Sequence, residues 1–506
     1  MNKILYYLHI FFSQMANLFS AEKHLHNARF AKPHELKSIL SSTLDGTSLL
    51  LGESRFNYVL AVKPTEARGQ LGNLGLFVPT GGGKTLFLTT HLLTWPHSAI
   101  VNDPKGELFG LTGGYRAKDG LVYVFDPTGY GNCFDPLIGK NTEDDFYAVA
   151  KLLLFEPNER DPAFTQRGIK MLTLLLLASR IAGESPFPFI SRISKLSFNS
   201  AVKRINAISP EIACRLIGSD YSPDKDYEDK KYLADSWESM TSRLYPFLTE
   251  TVVKSLKGAD FNISDLMLGE KPLTIYLKWP ESKLLALQPL MKLMWGTFLE
   301  ELKQVYDNTP DKTKCREVSF PIDEAGITPI PELYKHIATV RSRKMSFLLA
   351  YQNLSQVNAY YGEYNGTTIL GNMRTQLYYR QTDLKTAKYL VDRLDYKSGF
   401  AHSTTDHEGT ISKGESEQRI PLLTVQYIMD LMPDEEVIGF YQDTKGMPPF
   451  KVCRMDWQRF PVLRQRQRIP PPQLYALPEF ENISSSNGHP RKDVVAAVYS
   501  GRIHGF

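Results

Sequence analysis

Cysteine is scarce in this 506-residue chain, and Cys133, Cys214, Cys315 and Cys453 stand far apart with no C-x-x-C and no Cys/His cluster. That excludes a disulfide framework and a structural zinc site, and scattered thiols suit a reducing compartment such as a cytosol. A surplus of one charge is also missing. The 59 basic residues exceed the 55 acidic ones by a formal +4, so charge alone establishes no nucleic-acid partner; such contact needs basic residues gathered on one surface. No succession of long apolar runs marks a multi-span transporter. With 42% hydrophobic and 23% charged residues, neither a collagen nor a wholly disordered chain fits. The length allows two to four domains, at roughly 100–200 residues each.

The nearest approach to a membrane segment lies at residues 4–21, where His9 is the only basic or acidic side chain. Tyr6, Tyr7, Ser13, Gln14, Asn17 and Ser20 interrupt it. Ile4, Leu5, Leu8, Phe11, Phe12, Met15, Leu18 and Phe19 fall on one helical stripe. The expectation for residues 1–22 is an amphipathic helix lying on a membrane surface or a partner, with a plain docking helix or one marginal span as alternatives. A single lysine, Lys3, ahead of a mixed apolar run argues against a signal peptide.

Short β-rich runs alternate with helical patterns. Candidate strands are Leu74–Val78, Ser98–Val101, Leu121–Phe125, Leu273–Leu277, Val318–Ile322, Ser346–Tyr351, Gln376–Tyr379 and Val437–Tyr441. This rhythm predicts an α/β fold with a mostly parallel sheet covered by helices. Between residues 145 and 265 it breaks into helical patterns alone, at Asp144–Phe155, Phe164–Ile181, Phe198–Ile208, Glu228–Leu244 and Thr251–Lys257. The expected organisation is an α/β domain over 23–144 and 266–457, with an all-α domain inserted at 145–265. From Gln458 on, seven basic residues face three acidic ones, an excess equal to the formal charge of the whole chain. With Pro470-Pro471-Pro472 and Ser484-Ser485-Ser486, residues 458–506 are expected to form a flexible, basic, Pro-rich tail.

The strongest local signal is Val78-Pro79-Thr80-Gly81-Gly82-Gly83-Lys84-Thr85, between a strand and a helical run. Glycines there let backbone N–H groups converge on phosphate oxygens, and the helix start adds partial positive charge. The reading is a phosphate-binding loop for ATP, formed by Thr80, Gly81, Gly82, Gly83, Lys84 and Thr85. Lys84 neutralises the β/γ-phosphates, and the Thr85 hydroxyl ligates Mg²⁺. Val78 stands where G-x-x-x-x-G-K-[ST] has glycine. A second element, Val318–Ile322 followed by Asp323-Glu324, has the Walker B pattern: Asp323 holds Mg²⁺ through water and Glu324 polarises the attacking water. Pro321 removes a backbone donor from that strand, so a bulge is expected there. Gln352, after Ser346–Tyr351, could sense the γ-phosphate or be a buried, satisfied glutamine. Arg341, with Arg343 and Lys344, could reach a neighbouring subunit's nucleotide or form a solvated turn. Asp103 and Lys105, in Asn102-Asp103-Pro104-Lys105-Gly106-Glu107, follow a strand on the ligand-binding edge and are additional candidates.

These elements come in an order that resembles the TraG/TraD-type coupling proteins of type IV secretion and conjugation. The resemblance extends to Leu25–Ala31, Ile337–Arg341, Gln352–Gln356, Leu370-Gly371-Asn372 and Pro421-Leu422-Leu423, and covers about residues 25–455. It implies a RecA-like P-loop ATPase that works as a hexamer, with an all-α insertion that recruits substrate. ATP would sit between subunits, with Lys84, Thr85, Asp323, Glu324 and Gln352 acting in cis and Arg341 in trans. The implied partners are single-stranded DNA with its relaxase, or protein effectors without DNA, and the components of the secretion channel. A hydrolysis-deficient docking platform is a third reading. Relatives carry a transmembrane region ahead of the Ala-Arg segment. Here about two dozen residues precede it, so the expected location is the cytoplasmic face of the bacterial inner membrane, peripheral or weakly anchored. Ala325-Gly326 stands where relatives commonly have bulkier residues.

Overall fold

The computed structural model describes residues 27–41, 49–53, 59–62, 72–155, 162–223, 225–227, 230–407, 410–442 and 447–478. The helix expected at residues 4–21 and the end of the chain after 478 lie outside them. The strands are β1 (Leu40–Ser41), β2 (Leu49–Glu53), β3 (Val59–Val62), β4 (Leu74–Phe77), β5 (Ser98–Asn102), β6 (Leu121–Asp126), β7 (Tyr130–Gly131), β8 (Leu273–Leu277), β9 (Val318–Ile322), β10 (Met345–Tyr351), β11 (Thr375–Tyr378), β12 (Tyr396–His407), β13 (Thr410–Pro421), β14 (Glu436–Tyr441) and β15 (Phe450–Cys453).

Thirteen of them form one sheet in the order β1-β3-β2-β15-β14-β11-β4-β10-β9-β5-β8-β6-β7. From β11 to β6 every pairing is parallel. Strands buried on both faces read as unbroken apolar runs, which is why Leu74–Phe77, Leu273–Leu277 and Val318–Ile322 stand out in the sequence. Alternate residues supply two cores, one on each face. Leu74, Leu76, Ala99 and Val101 pack on one side. Phe77, Ile100 and Phe320 pack on the other, in a core continuous with Leu172, Trp237 and Leu287.

Helices alone occupy Glu143 to Leu268 among the described residues, including Pro162–Ile181, Lys231–Leu244 and the short Pro186–Ile193 and Pro210–Ile217. The first of these helices starts on a reciprocal capping box between Thr142 and Asp145. The helix Leu284–Asn308 then leads back towards β9.

Three findings depart from expectation. Pro321 makes no bulge. β9 keeps constant register with β10, Pro321 facing Leu348, and with β5, where only Phe320 and Pro321 drop out of the pairing. A ladder can lose one donor without changing register when the pairs on either side hold. Second, β12 and β13 form a separate two-stranded ribbon twelve residues long on each side. Third, the expected flexible tail is folded as far as Pro478. Pro461–Gln467 is a helix anchored by the fully buried Leu463. Further on, the Gly131 N–H donates to Tyr475 O at 2.9 Å and the Leu477 N–H to Gly129 O at 2.8 Å, which extends the sheet edge at β7.

Candidate functional site

The parallel strands β4, β10, β9 and β5 deliver their carboxyl ends to one edge, so residues distant in sequence converge there. β4 continues by one hydrogen bond, from the Val78 N–H to Tyr351 O at 2.8 Å, and the Val78 side chain is fully buried. Gly82 passes over it: a Cβ on Gly82 would stand 2.7 Å from Val78 Cγ1 and 3.0 Å from Pro79 O. The valine fills the space beneath the loop, and the glycine leaves room for it. Gly81 and Gly83 have φ of 78° and 102°, in the left-handed region that favours glycine. The helix Lys84–Thr94 begins there with no side-chain cap on its first N–H groups, the arrangement that suits an anion. Thr85 is its second residue, and Thr80 is exposed at the loop crest.

The acidic pair arrives from β9. The Asp323 N–H donates to Asn102 O at 3.1 Å. Asn102 Nδ2 returns bonds of 2.9 Å to Asp323 O and to Thr328 Oγ1, and Thr328 Oγ1 donates to Glu324 O at 3.0 Å. Glu324 is held at φ 56°, a conformation that non-glycine residues keep only when their surroundings impose it. Lys84 Nζ lies 3.2 Å from Asp323 Oδ1 and pairs with Glu324 as well. Gln352 Nε2 donates to Glu324 Oε2 at 3.3 Å, and the Gln352 N–H donates to Gln356 Oε1 at 2.8 Å. Gly326 is small because Gln356 occupies its flank: a Cβ there would stand 2.5 Å from Gln356 Oε1.

Burial pushes the Asp323 carboxyl up from its ordinary value, against the pull of Lys84. Asp103, fully buried beside it, is pushed up to about 6, chiefly by burial. Asp103 Oδ2 accepts from the Phe109 N–H at 2.7 Å, while Oδ1 has no partner among the described residues.

The structure therefore brings together Lys84, Asp323, Glu324 and Gln352, with Gly81–Gly83 and Thr85 adjoining and Asp103 behind. It does not bring in Lys105, which pairs with Glu281 at 3.5 Å on the surface. Nor does it bring in Arg341, which precedes β10 and is separated from Gln352 by about 23 Å of strand at ~3.3 Å per residue. Its neighbour Arg343 forms a bidentate pair with Asp307, and Lys344 donates to Cys315 O at 2.8 Å. Sequence reasoning assigned no role to Asn102 or Gln356. The signal for the first was an amide directly before Asp103 at the end of an apolar strand; for the second, a glutamine one helical turn after Gln352.

Sheet order, loop and acidic pair define a RecA-like P-loop ATPase fold carrying an all-α domain. Solved structures share it: the bacterial conjugative coupling protein TrwBdeltaN70 in unbound form aligns with a TM-score of 0.60 at 16% identity, covering 85% of this chain and 93% of that one. Plasmid coupling protein TrwB in complex with ADP and Mg²⁺ aligns with a TM-score of 0.61 at 16% identity, covering 85% and 94%. The family model for type IV secretory system conjugative DNA transfer matches residues 47–474, and this chain belongs to that family. Protein VirD4 of Rhizobium radiobacter is 25% identical over 465 residues, spanning 86% of this chain and 62% of the relative. Conjugal transfer protein TraG of Escherichia coli is 23% identical, over 85% and 71%. The chain thus spans little more than three fifths of the VirD4 length.

Proposed function

We propose that this chain is the ATP-driven coupling protein of a type IV secretion or conjugation system, recruiting a relaxase-bound DNA and delivering single-stranded DNA to the channel. The observation that carries the reading is the meeting of Lys84 with Asp323, Glu324 and Gln352 at one sheet edge. Family membership and the nucleotide complexes of TrwB support it.

Gly81–Gly83 and the uncapped helix start receive the phosphates, and Lys84 exchanges its carboxylate partners for the β/γ-phosphate oxygens. Glu324, held by Gln352, orients and deprotonates the attacking water. Thr85 and Asp323 are the residues that would hold Mg²⁺, and they fit it: Mg²⁺ is usually bound by one or two protein oxygens together with substrate phosphates. No group of three or more ligating side chains exists among the described residues. When bound, Mg²⁺ supplies charge neutralisation at the phosphates. Arg341 acts in trans, on the nucleotide of the next subunit of a homo-hexamer. DNA binding is sequence-blind and weakens with salt.

The test is ATP turnover against single-stranded DNA concentration for the wild type, Lys84→Ala and Glu324→Gln. DNA-stimulated turnover lost in both variants is expected; undiminished turnover in both removes the site. Strong turnover in the wild type that ignores DNA points instead to protein effectors as cargo. Wild-type subunits should restore turnover to Arg341→Ala subunits in mixed rings, and a cis-only defect would refute the trans role. Among the described residues no helix is long and apolar enough to cross a membrane. We place the chain at the cytoplasmic face of the inner membrane, peripherally or weakly anchored. Fractionation of the intact chain against one lacking residues 1–22 tests this, and equal partitioning would refute a role for that segment.

A further inference from the structure

A cavity of about 180 Å³ opens on the β11–β15 side of the phosphate loop, the side away from the β9 carboxylates. Pro79 to Gly82 form one wall, and Tyr379, Arg380, Thr382 and Arg454 contribute to the others. Two of the residues that line it carry a buried hydrogen-bond donor with no acceptor among the described residues. Tyr379 is 2% exposed, and its hydroxyl has no partner among the described residues. Arg454 Nε is buried and equally without one. Buried donors are normally satisfied, and a pair left open around one cavity calls for an acceptor from outside the chain.

Their positions are fixed from elsewhere. The Tyr379 N–H donates to Phe77 O at 3.1 Å, the last residue of β4, and the Arg454 N–H donates to Glu435 O at 2.7 Å. The Arg454 side chain packs against the loop itself: a Cβ on Gly83 would stand 3.6 Å from Nη1 and 3.7 Å from Cδ. At the rim Arg380 is neutralised by Asp434 at 3.1 Å, whereas Arg454 has no ion pair among the described residues. Burial pushes the Tyr379 phenol well above its ordinary pKa, so it donates at neutral pH.

We propose that Tyr379 and Arg454 form a second arm of the nucleotide site, binding the α-phosphate and ribose of the nucleotide whose β/γ-phosphates the loop holds. This rests on the ATP reading above. Arginine supplies charge-assisted bonds to a phosphate oxygen, and the phenol adds a neutral donor of fixed direction. The loop amides and Lys84 serve the outer phosphates, so the arm governs nucleotide affinity without touching the reacting bond.

The test is calorimetric titration of the full chain with Mg²⁺-ADP and with Mg²⁺-pyrophosphate. Arg454→Ala is expected to weaken ADP binding about ten- to hundredfold and Tyr379→Phe about three- to tenfold, with pyrophosphate affinity unchanged in both. Tyr379→Phe should also leave the melting temperature of the ligand-free protein undiminished, because it removes a hydroxyl that has no partner among the described residues. Unchanged ADP affinity in both variants overturns the arm, and so does pyrophosphate affinity that falls in step with ADP. A wild type that binds neither ligand overturns the nucleotide reading itself, an outcome distinct from either.

Discussion

Replacing Glu324 by glutamine should separate chemistry from binding at the proposed nucleotide site. Glu324 sits at φ 56°, and glutamine carries no β-branch that would resist that conformation, so the backbone is expected to hold. The amide keeps a partner for Gln352 but no longer accepts a proton or attracts Lys84. General-base removal typically costs 10²–10⁴ in rate, and turnover should fall by about that factor. Binding should move the other way. Lys84 and Glu324 are 13% and 20% exposed, and the lysine must leave the glutamate to meet phosphate. Taking the upper end of the range for exposed pairs for this largely shielded one, about 1 kcal/mol, losing it should tighten ATP binding about fivefold. Lys84 still has Asp323 at 3.2 Å, which limits the gain. Phosphate-release kinetics and titration with a fluorescent ATP analogue read the two quantities separately. Turnover within threefold of wild type, or affinity weakened more than tenfold, would refute the reasoning; the second result would make Glu324 a structural support of the loop.

Restoring glycine at position 78 should harm the protein. Val78→Gly empties a fully buried site beneath Gly82 and is expected to cost about 2–4 kcal/mol in denaturant unfolding, with no gain in turnover. Gly114 lies under the tail, where a Cβ would stand 2.0 Å from Ile469 O and 2.5 Å from Pro470 O. Gly114→Ala should therefore lift residues 468–478 and speed trypsin cleavage at Arg464–Arg468, whereas an unchanged digestion pattern would contradict the packing. Burial raises Asp135 from 3.8 to about 7. A carboxyl raised in the folded state binds its proton more tightly there than in the unfolded chain. Its contribution is fully present below pH 3.8 and is lost as pH rises to about 7, at roughly 1.4 kcal/mol per pH unit. Unfolding free energies at pH 5.5, 6.5 and 7.5 should decline in the wild type and decline less in Asp135→Asn; parallel curves would exclude Asp135 as the source.

What the sequence revealed and what it hid have one physical division. Strands buried on both faces must be apolar throughout, so the parallel centre of the sheet was readable, and motif residues were readable because each closes such a strand: Lys84 after β4, Asp323-Glu324 after β9, Gln352 after β10. The β12–β13 ribbon was not, because it joins no other sheet among the described residues and its residues, Lys397-Ser398-Gly399 and Ser416-Glu417-Gln418-Arg419 among them, show no apolar alternation. The tail misled for a related reason: its arginines and prolines have the composition of a solvated segment, yet it is seated by the buried Leu463, by close packing over Gly114 and by backbone hydrogen bonds to Gly129 and Gly131. Within the site, Asn102, Gln356 and Arg454 are single polar residues whose partners lie 221, 4 and 371 positions away. Only the first and last need the whole sheet to meet those partners; the amide before Asp103 marks Asn102 as a polar strand end without naming its partner, and nothing around Arg454 marks the loop it packs against. The phosphate loop shows the same logic at short range. Val78 breaks the motif by one residue, and the structure answers within four positions, since the glycine at 82 is what a valine at 78 requires.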